Sequence, residues 1–374
     1  MTNSLANKGL EGVVALTSSV SSIVDGVLTY RGYDIDDLAE NTTFEEVVYL
    51  LLHDDLPTQS QLNALQQELE AARPLSQDIL NTLAGFPKKA LPMERLRTAV
   101  SVLGMHDPES EDNSPEANYR KSIRLIAQMP TIIAAQERLR RGKAPVGPKP
   151  GLSTAASFLQ MMHDKDPDPV AVNALDKALI LHADHELNAS TFATRQTVST
   201  LSDIYSAITS AVGTLKGPLH GGANEQVIRT LQRIESVENV EPFLEQALAG
   251  KERIMGFGHR VYKDGDPRAK HLKEMSRQLG ELTGETKWYV MSDQLETAMV
   301  EKKGLKPNVD FYSASVYFVL GIPIDLYTPI FALSRISGWC AHALEQYGNN
   351  RLIRPRAEYT GPVSRVSKPI AERG

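Results

Sequence analysis

The 374-residue sequence has one cysteine, two tryptophans and fewer basic than acidic side chains, 40 Lys and Arg against 46 Asp and Glu. A single cysteine, Cys340, excludes a disulfide within the chain, and nothing in the composition points to an oxidising compartment. In "SRISGWCAHALEQ" it reads as a small hydrophobe filling space in a helix. A net charge of −6 argues against a general nucleic-acid binder, whose affinity rests on an excess of Lys and Arg. Small anionic ligands remain open, because a local cationic cluster can oppose the global sign. Long apolar runs are also lacking. The longest, "FYSASVYFVLGIPI", is cut by Gly321 and Pro323 and ended by Asp325, short of the roughly 20 residues that a membrane span needs. "GVVALTSSVSSIV" is too rich in Ser and Thr for the apolar region of a signal peptide. These absences predict a cytoplasmic protein with neither nucleic acid nor membrane as its partner.

What is present is mostly helical. The one strong strand signal, "SSIVDGVLTYRGY", places two β-leaning runs around Asp25-Gly26, a favoured hairpin dipeptide. "TFEEVVYLLLH" opens a helix with Thr43 and Glu46 at capping-box spacing. "SPEANYRKSIRLIAQM" opens another with Ser114 as N-cap and Pro115 at the first helical position. In "PMERLRTAVSVLG", Met93, Leu96, Val100 and Leu103 share a helical face, and Gly104 reads as the stop. "RGKAPVGPKPG" is a connector between helices. The pattern turns helical again over 169–215, and a segment between "GPLHGGAN" and "LGIPIDL" has the size of a small inserted domain. The expected fold class is mainly α, in two parts, with a short N-terminal hairpin.

Four of the nine histidines stand in unusual settings. In "LILHADHELNAST", His182 and His185 share a face if both are helical, together with Leu175, Ala178 and Leu179. A metal site would recruit Asp184 and Glu186 as well, yet both point elsewhere on such a helix and the i,i+4 spacing of HExxH is absent. The competing reading is a pair of core or hydrogen-bonded histidines. In "LKGPLHGGANEQVIRTLQRI", Gly221 and Gly222 follow His220 and a helix begins near Asn224. That suits close ligand approach to backbone, with the helix N-terminus disfavouring the imidazolium; an ordinary interhelix turn fits equally. "GFGHRVYKDGDPRAK" adds His259, trailed by Arg260, Lys263, Arg268 and Lys270. It is neither a dinucleotide fingerprint nor a Walker loop, and a solvated charge run is the plain alternative. In "KPNVDFYSASVYFVLG", Asp310 reads either as the N-cap of a helix from 311 or as a desolvated base of raised pKa.

Taken in order, "HADHELNAST", "GPLHGGAN", "GFGHRVYKDGDPRA", "PNVDFYSASVY", "FALSRISGW" and "NRLIRPRAEYTGP" resemble the motifs of citrate synthases, over essentially the whole chain. The resemblance implies a helical homodimer with a large domain, 1–221 and 323–374, and a small domain, 222–322, that closes over the substrates. Gly221, Gly222 and Gly321 are the expected hinge points. The implied reaction condenses acetyl-CoA with oxaloacetate and water to citrate and CoA, with no metal or cofactor, CoA being carried by a substrate. By the same resemblance Asp310 removes a methyl proton, neutral His220 donates to the thioester oxygen, and His259 polarises the ketone and protonates the new alkoxide. Oxaloacetate is held by His185, Arg268 and Arg335, with Arg354 reaching in from the partner subunit; His182 is a supporting helix residue. CoA is expected at the backbone of Met255, Gly256, Phe257 and Gly258, with Arg260, Lys263 and Lys306 near its phosphates. Lys302 and Lys303 are further candidates. The chain begins almost at the hairpin, without the extension that longer bacterial members associate with hexamers and NADH inhibition, so the expectation is a dimer without that control.

Three other readings compete. A 2-methylcitrate synthase using propionyl-CoA differs by one methylene, worth only about 1–3 kcal/mol of discrimination. A metal-dependent hydrolase would rest on His182 and His185. A non-catalytic CoA- or nucleotide-binding module would rest on the 256–270 loop.

Overall fold

The computed structural model describes residues 8–10, 12–259, 261–262 and 264–373. Among them sixteen α-helices follow a small N-terminal sheet, so the chain is mainly α, as expected. Ser21–Val24 and Val27–Tyr30 form the hairpin, with Ser21 opposite Tyr30 and Val24 opposite Val27. Asp25 and Gly26 both take positive φ, 51° and 80°, which is what a two-residue turn matching the strand twist requires. A third strand, Tyr33–Asp34, pairs with the second through another left-handed pair, Arg31 and Gly32. The sequence pattern does not disclose this strand, which is two residues long. The sheet also braces a distant loop: the Tyr30 hydroxyl lies 3.1 Å from the Ile180 carbonyl and 3.0 Å from that of Asp184.

Local capping signals translate directly. Thr43 and Glu46 form the reciprocal capping box of Phe44–His53. Ser114 caps Pro115–Arg140 by accepting the Ala117 N–H. Met93, Leu96, Val100 and Leu103 are buried along Pro92–His106. Gly104 is not the stop, because the helix continues to His106. Its bare Cα instead admits Tyr205, whose Cβ would lie 2.8 Å from a Cβ at position 104.

The helix Tyr327–Gly348 runs through the middle of the protein and is buried on every side from Tyr327 to Ala343, its polar Ser334, Arg335, Ser337 and His342 included. Cys340 lies inside it, buried. Around it pack Pro115–Arg140, Ala189–Val198 and Ile204–Leu215. The helices between Ala223 and Val319 pack chiefly on one another, with Val309–Val319 at their centre, and meet the rest mainly where Ala269–Thr283 lies against Pro169–His182.

Candidate active site

Six of the residues picked out in the sequence, His185, His220, His259, Arg268, Asp310 and Arg335, line one cleft of about 600 Å³. Each comes from a different place in the fold. His185 sits in the loop after Pro169–His182, and His220 in the turn before Ala223–Ile234. His259 lies in the loop leading to Ala269–Thr283, and Arg268 at the threshold of that helix. Asp310 is in the first turn of Val309–Val319, and Arg335 is in the central helix.

His182 and His185 do not share a helical face, because the helix ends at His182. The intervening Asp184 is drawn elsewhere. It accepts from the Ser21 hydroxyl and pairs with His342 at 3.1 Å. A Cβ at Gly338 would fall on Asp184 Oδ1 and the Ala183 carbonyl, so the central helix needs a glycine where this loop crosses it. His182 is fully buried with Nδ1 on the Ala178 carbonyl at 2.7 Å. His185 turns away from both, its Nε2 3.1 Å from the Tyr262 hydroxyl. Burial, then Arg268 and Arg335, hold its pKa well below the usual value, so it is neutral. Among the described residues no three His, Cys, Asp or Glu side chains converge as a metal site would need.

His220 places Nε2 2.8 Å from the Ser190 hydroxyl, which also accepts the Trp339 indole N–H at 3.1 Å and donates to Asn188 Oδ1 at 2.8 Å. Burial first, then Arg335, lowers the His220 pKa to about 4. The ring is neutral for these reasons. His259 Nδ1 accepts two backbone N–H groups, from Val261 at 3.0 Å and Tyr262 at 3.2 Å. Its pKa is lowered by burial and by Arg268 against the pull of Asp266. The proton of the neutral ring is therefore on Nε2.

Asp310 is not an N-cap. Asn308 caps that helix by accepting the Asp310 N–H at 3.0 Å, which leaves the Asp310 carboxyl to the cleft. Burial raises its pKa to about 6, with Arg268 and Arg335 pulling down and Asp266 pushing up. Arg268 is engaged fork to fork with Asp266. Arg335 is 1 % exposed, donates Nε–H to the His182 carbonyl at 2.7 Å, and has no carboxylate paired with it among the described residues. Burial lowers its pKa to about 10. A deeply buried guanidinium with no carboxylate in contact, supported only at longer range by Asp184 and Asp310, and facing a cleft, is a site suited to an anion.

Arg354 is not in this cleft. It is exposed and lines a neighbouring cavity of about 940 Å³ that shares Val13, Ala15 and Phe192 with the cleft wall. Nor do Met255–Gly258 and Lys306 line the cleft. They form a bridge of their own: Phe257 pairs with Pro307, Gly258 N–H donates to the Lys306 carbonyl, and the Gly256 carbonyl accepts from Asn308, both at 2.9 Å. Gly256 has φ +88, and a Cβ there would meet Val227 at 2.7 Å. Three backbone groups of this turn are thus already paired, Gly258 O bonding the Asn308 amide as well. Lys306 Nζ donates to the Asp264 carbonyl at 2.8 Å, and Lys302 is paired with Glu241. Arg260 and Lys263 lie outside the described residues. Asp266, Ser190 and Tyr262 emerge only from the structure, although "YKDGDPR" and "NAST" contain them.

A family model described as citrate synthase, C-terminal domain, matches residues 9–356. The chain belongs to the citrate synthase family. Within that family it is 58% identical to citrate synthase 2 of Bacillus subtilis, over 98% of this chain and 99% of that protein. It is 43% identical to 2-methylcitrate synthase 1 of Corynebacterium glutamicum, over the full length of both. Its fold matches the citrate synthase of Thermoplasma acidophilum, solved as a ternary complex with carboxymethyl coenzyme A and oxaloacetate. There the TM-score is 0.91 and the identity 36%, over 98% of this chain and 99% of that one.

Proposed function

We propose that the protein condenses acetyl-CoA with oxaloacetate and water to give citrate and CoA, in the cleft lined by these six residues. The observation that carries this reading is the gathering of a carboxyl poised near neutrality, three neutral imidazoles and two buried guanidinium groups around one space, in a chain of this family. Arg335 and Arg268, with His185, hold the oxaloacetate dianion. Asp310 takes a methyl proton from acetyl-CoA; a carboxylate of pKa about 6 is a better base than one at its ordinary value and is still ionised at neutral pH. The electron pair released moves onto the thioester oxygen, where neutral His220 donates a hydrogen bond. The Ser190 hydroxyl has one proton, donated to Asn188 Oδ1 in this structure; turned to His220 Nε2, 2.8 Å away, when the thioester binds, it leaves the N–H on Nδ1 for that task. The enol carbon then bonds the ketone carbon of oxaloacetate, and the ketone oxygen takes the proton of His259 Nε2. The two N–H groups facing His259 Nδ1 stabilise the negative charge left on the ring. Water cleaves the citryl thioester, releasing CoA and citrate.

Residues 222–322 form the small domain in this proposal, hinged at Gly221, Gly222 and Gly321, against a large domain of 1–221 and 323–374. The self-packing of the helices between Ala223 and Val319 and the left-handed Gly321, φ +71, support that division. Met255–Gly258, Arg260, Lys263 and Lys306 remain the proposed CoA contacts. The active unit is a homodimer in which Arg354 completes the partner's site. Residues 349–374 support this: they carry six basic and two acidic side chains on an acidic chain, and their Tyr359, Val363, Val366 and Ile370 are each at least 71% exposed. No helix among the described residues is long and apolar enough to cross a membrane, and the one thiol is buried. Both fit the proposed cytoplasmic setting.

Thiol release from acetyl-CoA and from propionyl-CoA, each with oxaloacetate, tests the reading. Acetyl-CoA is expected to give the higher kcat/KM. A preference for propionyl-CoA moves the protein to the 2-methylcitrate branch, and no release from either donor removes the proposal.

A further inference from the structure

Beside the rings of His185 and His259, which meet edge to face at 5.3 Å, lies a side chain that the proposed chemistry leaves without a task. Tyr262 is 3 % exposed and is not among the residues lining the cleft, yet it touches both rings. Its hydroxyl is 3.1 Å from His185 Nε2. Its ring centroid lies 4.5 Å from that of His259 and 5.6 Å from that of His185, nearly perpendicular at 79°. Its own backbone N–H donates to His259 Nδ1 at 3.2 Å. The Arg268 guanidinium carbon sits 5.9 Å from the ring centroid.

We propose that Tyr262 is the positioning residue for the oxaloacetate half of the site, holding His185 through its hydroxyl and His259 through its N–H and ring. The inference rests on the condensation proposed under the preceding heading and adds a residue to it. Its force comes from counting protons. A neutral imidazole has one N–H, and which nitrogen carries it is set by the partner of the other. The N–H groups of Val261 and Tyr262 take the Nδ1 lone pair of His259 and leave its proton on Nε2. When the Tyr262 hydroxyl donates to His185 Nε2, the His185 proton is left on Nδ1. Tyr262 thereby fixes the donor nitrogen of His185 and, together with Val261, that of His259, in opposite senses, before an anion arrives. The hydroxyl bond also joins the loop after Pro169–His182 to the 255–268 loop. It therefore crosses the proposed boundary between the domains at the cleft itself. Without the hydroxyl, His185 is free to turn or to exchange its tautomer, and part of the binding energy of oxaloacetate goes into ordering it.

The test compares wild type, Tyr262→Phe and Tyr262→Leu for calorimetric oxaloacetate affinity, both KM values and kcat. Tyr262→Phe removes the hydroxyl alone, so oxaloacetate Kd and KM should rise about 3- to 10-fold, with kcat and the acetyl-CoA KM unchanged. Tyr262→Leu also removes the ring packed on His259 and should lower kcat about 10-fold or more in addition. Unchanged or tighter oxaloacetate binding by Tyr262→Phe overturns the proposal. So does a parallel loss in both KM values, kcat and melting temperature, which marks general loosening. Wild type that neither binds oxaloacetate nor condenses it removes the proposed condensation and this inference with it. Wild type that condenses normally beside an unaltered Tyr262→Phe removes this inference alone.

Discussion

Arg268 and Asp266, two residues apart, grip one another fork to fork: Nε donates to Oδ1 at 2.9 Å and Nη2 to Oδ2 at 2.8 Å. Arg335, buried as deeply in the same cleft, has no such partner among the described residues. Burial works against the charge of both. The ion pair with Asp266 outweighs it for Arg268 and holds that pKa above its usual value, while Arg335 is pushed down to about 10. The cleft thus has one cation whose charge is already balanced and one whose balance is left to a ligand.

That asymmetry gives the first prediction. Arg335→Met removes a buried charge that has no carboxylate in contact among the described residues and only longer-range support from Asp184 and Asp310, so the unliganded protein should become more stable, by about 1–2 kcal/mol, while losing oxaloacetate. Thermal melts check both halves. Oxaloacetate should raise the melting temperature of wild type, since it binds the folded state alone, and leave the variant unmoved. A destabilised variant that still responds to oxaloacetate contradicts the role given to this guanidinium.

The pKa of Asp310, raised to about 6 by burial, makes the reaction acid-sensitive. The base works ionised, so kcat/KM for acetyl-CoA should fall about tenfold per pH unit below that pKa. The stability consequence has the opposite sign. The folded state holds this proton more tightly than the unfolded chain, so stability from this group is greatest at low pH and is lost as pH rises through about 6. Asp310→Asn should lose about 10²- to 10⁴-fold in kcat without losing oxaloacetate affinity. Rate profiles and melts over about pH 4 to 8 separate the two effects.

A second raised carboxyl lies away from the chemistry. Burial first, and then the charge of Glu45, push Asp176 up to about 8, although it accepts the Phe44 N–H at 3.1 Å. Stability should therefore decline as pH rises from the ordinary carboxyl value to about 8. Asp176→Asn keeps an acceptor for Phe44 and removes the titration. Its melting temperature should exceed that of wild type at about pH 9 and show no such advantage at about pH 5. Equal melting curves at both pH values would count against the assignment.

Mixing two inactive proteins tests the shared site. Heterodimers of Arg354→Ala and His220→Ala subunits should regain one working site, assembled from the intact His220 of one subunit and the intact Arg354 of the other. No recovery, with subunit exchange verified, places Arg354 elsewhere.

Most of what was legible in the sequence is local. Asp25-Gly26, Thr43 with Glu46, and Ser114-Pro115 act within a few residues of themselves, and the structure uses each as the pattern implies. Misreadings occur where a distant contact takes over. Gly104 looks like a stop, but its smallness serves Tyr205. Asp310 looks like an N-cap, but Asn308, two residues earlier, takes that position. His185 looks helical beside His182, but the loop is pulled out by Ser21, Tyr30 and His342, all more than a hundred residues away. The six residues of the cleft were readable as candidates, His259 and Arg268 from one motif and Arg335 only through the family resemblance. Their convergence was not, since it depends on the central helix and on the sheet that braces the His185 loop. The partners that set their protonation, Ser190, Asp266 and Tyr262, have no distinguishing local pattern.

The central claim is that this cleft joins the acetyl methyl carbon to the oxaloacetate ketone with Asp310 as base. Supplying acetyl-CoA labelled with carbon-13 in the methyl group, with oxaloacetate, and following the products by NMR tests it most directly. Wild type is expected to give citrate labelled in one methylene, and Asp310→Asn to leave the labelled acetyl-CoA unchanged over the same time. Wild type that releases CoA while the label appears in free acetate, or Asp310→Asn that makes labelled citrate at the wild-type rate, would contradict it.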